Sequence, residues 1–184
     1  MKTIKLLSLM ATAALLITSC SDDDDAGPEE INEEEVITTM HVTLTPQQGD
    51  TITLQSQDLD GDGPDAPVIT VSGNLAANTT YEGEIELLNE TESPAEDITE
   101  EVEEEGLDHQ FVFVSTGSIA TVDYDDVDAG GNPVGLEFIL TTGDAGDATL
   151  AITLRHEPTK PNDGTLSGAG GETDFAQTFP LIVE

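Results

Sequence analysis

Short runs of alternating apolar and polar residues recur from Val36 onward, separated by clusters of Gly, Pro, Asn and Asp. Val36-Ile37-Thr38-Thr39-Met40-His41-Val42-Thr43-Leu44 sets Val36, Met40, Val42 and Leu44 on one face and threonines with His41 on the other. That period of two is the mark of a half-buried strand. Residues 51–57, 68–75 and 80–88 repeat it. Phe111-Val112-Phe113-Val114 is apolar on both faces, which predicts a central strand. Residues 134–142 and 148–156 read as a hairpin around Gly143-Asp144-Ala145-Gly146-Asp147, and residues 176–183 close the sheet. Eight or nine strands at this spacing predict an all-β fold over residues 36–184, an immunoglobulin-like antiparallel β-sandwich.

One segment has a helical signature instead. Ser93-Pro94-Ala95-Glu96 places serine at an N-cap, proline at the first helical position and glutamate three residues after the cap. Ile98 and Val102 share a helical face, and Gly106 supplies the stop. Glu100, Glu101, Glu103, Glu104 and Glu105 make this short helix strongly acidic. Their repulsion requires that packing of the two apolar residues, or a cation, offset it.

The first 35 residues carry no strand pattern. Lys2 and Lys5 precede an apolar stretch from Leu6 to Ile17, of secretory-signal length and too short to span a bilayer. Ile17-Thr18-Ser19-Cys20 then fits a lipobox. The reading is a lipoprotein signal over 1–19, followed by a lipidated Cys20 and a disordered acidic linker over 20–35. Acyl chains on Cys20, palmitate among them, would hold the protein to a membrane. Ser21-Asp22-Asp23-Asp24-Asp25 is similar to the acidic export signal of surface lipoproteins, which predicts an outer-membrane, surface-exposed location. As the chain's single cysteine, Cys20 has no intrachain disulfide partner, so the domain must be held by its core.

Charge narrows the function classes. Once the signal lysines are removed, Arg155 and Lys160 are the remaining strong bases against 39 carboxylates. Such a chain repels phosphate backbones, so nucleic-acid binding is excluded as a role, while cations are concentrated around it.

Candidate chemistry is accordingly cationic. Asp58-x-Asp60-x-Asp62-Gly63 has the oxygen spacing of a calcium loop, although position 12 is Ile69 rather than a bidentate glutamate. The alternative is an ordinary Asp/Gly turn. Asp126 and Asp128, within Asp123-Tyr124-Asp125-Asp126-Val127-Asp128, form a second calcium candidate. His109 shares the parity of Phe111 and Phe113, and His156 continues the face of Leu150, Ile152 and Leu154. If both strand ends meet at one rim, His109 and His156 with Asp108, Glu157 or Glu105 make a nitrogen–oxygen site for zinc or another borderline cation. The alternative is two rim histidines bonded to neighbouring loops. Catalysis has no support: there is no Gly-x-Ser-x-Gly elbow, internal cysteine nucleophile or HExxH motif, and Gly168-Ala169-Gly170-Gly171 reads as a flexible turn.

Several stretches together resemble a family of small acidic bacterial lipoproteins. They include Asp58-Leu59-Asp60-Gly61-Asp62-Gly63, Leu87-Leu88-Asn89-Glu90-Thr91, Asp108-His109-Gln110-Phe111, Gly131-Asn132-Pro133-Val134, Leu154-Arg155-His156-Glu157-Pro158 and Gly170-Gly171-Glu172-Thr173-Asp174. Members carry the label "type 1 periplasmic binding fold superfamily protein". That label implies two α/β lobes with parallel sheets, whereas the residue pattern predicts strands and one helix. The resemblance also implies a TonB-dependent receptor as a partner. The combined expectation is a non-enzymatic lipoprotein that captures a cation or metal complex, with Ca2+ or Zn2+ as the bound ion. The rival is a structural or adhesive surface module whose loops calcium rigidifies.

Overall fold

The computed structural model describes residues 36–61 and 63–184. The expected signal, Cys20 and the acidic linker lie outside the described residues, as does Asp62. The described elements, in chain order, are β1 (Thr39–Pro46), β2 (Ile52–Gln57), β3 (Val68–Val71), β4 (Thr80–Asn89), β5 (Glu96–Asp97), α1 (Ile98–Glu104), β6 (His109–Gly117), β7 (Ile119–Tyr124), β8 (Glu137–Thr142), β9 (Gly146–His156), α2 (Leu166–Ala169) and β10 (Glu172–Val183). One sheet runs β3-β2-β1-β4-β8-β7 with β5 pairing on β4, and the other runs β10-β9-β6. Every strand pair in both is antiparallel. This is the all-β sandwich that the period-two pattern predicts. It is not the pair of α/β lobes that the family label implies.

Alternation places the core between the sheets. Met40, Val42, Leu44, Leu54, Ile85, Leu87, Phe138 and Leu140 project from the larger sheet. Phe111, Leu150, Ile152, Leu154, Phe179, Leu181 and Val183 meet them from the smaller one. Each large apolar side chain so buried contributes about 1.5–3 kcal/mol. Polar bridges also join the sheets: Ser56 Oγ donates to Gln177 Oε1 (2.9 Å) and Tyr124 Oη to Phe111 O (2.7 Å).

The hairpin expected between residues 134–142 and 148–156 does not form. β8 pairs with β4 and β7, while β9 pairs with β6 and β10. The glycine- and aspartate-rich connection is a corner that carries the chain from one sheet to the other. A second corner, at Gly117-Ser118, makes the reverse crossing between β6 and β7. The two corners are bonded together: Ser118 N–H donates to Asp147 O (3.1 Å), and Gly143 N–H donates to Ser118 O (2.8 Å). At the other margin Leu75 N–H donates to Ile182 O and Glu184 N–H to Leu75 O, both at 2.8 Å. Those bonds close the segment after β3 onto β10.

Three further expectations need correction. β6 is an edge strand of the smaller sheet rather than a central one, with Val114 exposed. β7 is absent from the predicted set: its register shifts between Ile119 and Thr121, which breaks the period of two across a short strand. The helix begins at Ile98, not after Ser93. Glu96–Asp97 are drawn into extended pairing with Leu88 and Asn89, and the Asp97 carboxylate caps the helix by accepting from Thr99 N–H. Ile98 and Val102 are buried, as the helical spacing requires.

Gly83 stands opposite Phe138 in the β4–β8 ladder, and the Phe138 ring lies over it. A methyl group at Gly83 would overlap that ring. Gly83→Ala is expected to destabilise the domain by about 1–3 kcal/mol, read as a lower urea midpoint with an unchanged slope. An unaltered midpoint would show that the ring is not fixed there.

Candidate metal centre

The smaller sheet brings three distant side chains to one end of the sandwich. In the β6–β9 ladder His109 is the register partner of His156. Both have the parity of core residues, His109 with Phe111 and His156 with Leu154, so both imidazoles turn inward. Their rings stack with centroids 5.0 Å apart and planes inclined by 12°.

The third group is Asp174. The β9–β10 register shifts between Thr173 and Phe175, which makes Asp174 the extra residue of a β-bulge. Phe175 pairs with Leu154 on the core side, so regular alternation would send Asp174 outward. The bulge turns it in. Its carboxylate spans the imidazoles, with Oδ2 3.8 Å from His109 Nε2 and Oδ1 3.8 Å from His156 Nδ1. The side chains are 0% (His109), 8% (His156) and 2% (Asp174) exposed.

One donor atom from each of the three lies within 4.8 Å of the others. Two ligands of a tetrahedral zinc stand about 3.3–3.5 Å apart at ordinary bond lengths, so a donor pair at the 4.8 Å limit must close by about 1.3–1.5 Å for the set to share one ion. The donors suit a borderline cation. Calcium wants six to eight oxygens, and this site offers one carboxylate and two nitrogens.

His109 is also oriented for such a role. Its Nδ1 lies 3.3 Å from Glu105 O, the carbonyl of the α1 C-cap residue. A carbonyl only accepts, so Nδ1 carries a proton, and Nε2 is the ring nitrogen that faces Asp174. Metal-bound histidines commonly have one ring N–H held by a backbone carbonyl, which fixes the ring and leaves the other nitrogen for a metal.

Backbone approach is tight on this side. Gly171 has φ +68°, and a side chain there would collide with the His156 carbonyl. Arg155 fastens the same stretch. Its Nε–H donates to Gly170 O (2.8 Å), and its terminal nitrogens donate to Gly171 O and Thr173 Oγ1. Where a flexible turn was expected at Gly168–Gly171, Leu166–Ala169 form one helical turn capped by the Thr165 side chain.

The other expected ligands are not brought together with the histidines. Asp108 stands in the turn before β6, and Glu157 follows β9 in a left-handed backbone conformation (φ +48°). Both are exposed, and Glu157 N–H donates to Asp108 O at 2.7 Å. Glu105 contributes its carbonyl, not its carboxylate, to His109. His41 is half-exposed and lies 3.1 Å from Glu86, its cross-strand partner.

The calcium candidate at Asp126 and Asp128 does not assemble a set of converging donors among the described residues. Both Asp126 oxygens are occupied by the N–H groups of Gly135 (2.6 Å), Leu136 (2.7 Å) and Glu137 (3.1 Å). Asp128 accepts from the N–H groups of Gly130 (2.8 Å) and Asn132 (2.9 Å) and from Lys160 Nζ (3.1 Å). These carboxylates tie down loops that calcium was expected to tie. Asp58 and Asp60 lie close enough for a hydrogen bond between them to push the exposed Asp58 carboxyl above its ordinary value, and the third member of that loop, Asp62, is outside the described residues.

Comparison of the chain with family models, curated proteins and solved structures finds no match.

The Asp128–Lys160 pair is a buried ion pair, with Lys160 also donating to Gly106 O at 2.6 Å. Burial alone would push the Asp128 carboxyl up. The Asn132 N–H, Lys160 and the Gly130 N–H outweigh it and hold the carboxyl below its usual range. A depressed folded-state value stabilises the fold above the unfolded carboxylate value, and that stability is lost as pH falls through the folded one. Asp128→Asn is therefore expected to cost stability at pH 6, and the gap from the wild type should close as pH drops below about 3.9. Lys160→Met, which strands the carboxylate, is expected to cost about 3–5 kcal/mol. Thermal melts across pH 2–7, as a rough range, check both; a gap that widens in acid contradicts the assignment.

Proposed function

We propose that this protein is a lipid-anchored envelope lipoprotein that binds a borderline divalent metal ion, Zn2+ first among them, at His109, His156 and Asp174. The observation that carries this reading is a buried two-histidine, one-carboxylate group within 4.8 Å, in a chain whose acidity draws cations from solution. The role is binding rather than catalysis. In the outer membrane, tethered through Cys20 and displayed at the surface, such a domain serves as a metal-capturing accessory to a TonB-dependent receptor.

A second reading is favoured by one observation, the burial of all three donors. An enclosed ion exchanges slowly and acts as a rivet in a structural or adhesive surface module. Chelation separates the two readings. For a carrier, a colorimetric chelator should strip loaded zinc while the fold stays intact; for a structural module, zinc should leave only as the domain unfolds.

Titration calorimetry on the full chain carrying Cys20→Ser, which removes the competing thiol, is expected to show one zinc per chain. His109→Ala and His156→Ala should each abolish that binding, and Asp108→Asn and Glu157→Gln should leave it within a few-fold. Absence of zinc binding would end the metal reading. The anchor is tested separately: radiolabelled palmitate fed to cells making the chain should label it, and Cys20→Ser should remove the label. Equal labelling of the variant would place the lipid elsewhere or nowhere.

A further inference from the structure

Arg155 behaves unexpectedly for one of two strong bases in so acidic a domain. Among the described residues its guanidinium pairs with no carboxylate. All its described bonds go to neutral acceptors: Gly170 O, Gly171 O and Thr173 Oγ1. These three groups lie immediately before Asp174 in the chain. Arg155 is the register partner of Thr173, and the bulge follows directly. The planar fork of arginine suits three acceptors set around one side chain, which the point charge of lysine does not.

We propose that Arg155 is the positioning residue of the metal centre. By bolting residues 170–173 to β9, it sets the bulge and holds the Asp174 carboxylate between the imidazoles before an ion arrives. This rests on the reading that the His109–His156–Asp174 site takes a divalent cation, and it adds the device that organises that site. A ligand pre-set in this way binds more tightly because its ordering cost is met by the fold.

Electrostatics alone gives the opposite sign. Arg155 is adjacent to His156 in the chain, and a positive charge so near repels a dication, so its removal should tighten zinc binding if charge were its only effect. Positioning predicts weaker binding.

The test uses the full chain with Cys20→Ser and zinc as the probe, in competition with a chromophoric chelator. Arg155→Gln is expected to lower zinc affinity about 10–100-fold, the usual effect of losing an outer-shell partner. Arg155→Lys should recover only part of the loss. With Co2+ as the ion, the intense visible bands of a four-coordinate site should weaken in Arg155→Gln as solvent replaces a displaced carboxylate, a change that lowered stability by itself does not produce. Unchanged or tighter zinc binding in a folded Arg155→Gln overturns the proposal. If that variant does not fold, Thr173→Val removes one acceptor of the clamp and should weaken zinc binding several-fold, with no change or tightening counting against it. A parent chain that binds no zinc defeats the metal reading and this inference together. Zinc binding abolished by His156→Ala but indifferent to Arg155→Gln defeats this inference alone.

Discussion

The register of β6 on β9 is the constraint on which both core and site depend. With His109 opposite His156, Phe111 faces Leu154 and Phe113 faces Ile152, and all six side chains turn inward. A strand has a side-chain period of two, so a slip of one residue would reverse every member of the set. Gln110 and Val112, already buried on the other face of β6, would then turn toward the larger sheet, and the imidazoles would be parted. Such a slip is costly because Phe111, Phe113, Ile152 and Leu154 would lose the contacts they make between the sheets while a glutamine entered that apolar interior. Hydrophobic burial along the ladder therefore fixes the position of two polar side chains at its end. The pairing of the histidines follows from the packing of their neighbours.

Charge works on a different scale from this register. The described domain has two strong bases, and neither serves the broad acidic surface. Lys160 is buried against Asp128 and the end of the α1 connection, and Arg155 holds backbone carbonyls beside the bulge. Both reinforce the stretch from β9 to β10, which has little regular structure of its own. The exposed carboxylates are left to act as a diffuse field. Such a field raises the local concentration of cations and keeps the molecules apart, but it selects no particular ion. Selection requires nitrogen donors, and among the described residues those of His109 and His156 are placed beside a carboxylate in the interior.

Most strands were legible because alternation reports burial directly, and the face shared by Leu150, Ile152, Leu154 and His156 was legible for the same reason. Pairing was less so. Alternation does not state which strand is the neighbour, and a Gly/Asp connection suits either a hairpin or a crossing between sheets; at residues 143–147 it is the crossing. Asp174 could not be found from the pattern, because a bulge breaks the parity by which a side chain is assigned to a face. Gly170-Gly171 was the available sign of irregular backbone, and it says nothing of which later residue turns inward. Asp108 and Glu157 were attractive for their adjacency to the histidines. Both lie just past the strand ends, Asp108 in a turn and Glu157 at a left-handed residue, so the ladder that positions the histidines does not position them. The calcium reading of Asp126 and Asp128 was drawn from spacing, whereas their oxygens converge on nearby backbone N–H groups that the same glycine-rich loop supplies.

The balance of charge inside the site bears on what the site is for. Burying a carboxylate removes most of its hydration, which is costly at low local dielectric unless positive charge lies beside it. Two states would supply it. A proton on an imidazole would pair with Asp174, and a dication held by all three donors would neutralise the carboxylate while bonding both nitrogens. The two would compete for the same nitrogens, because histidine binds metal through a deprotonated ring nitrogen. Neither state would require the β6–β9 register to change, because apolar contacts along the ladder fix it, and the site would keep its geometry whichever cation stood between the three donors.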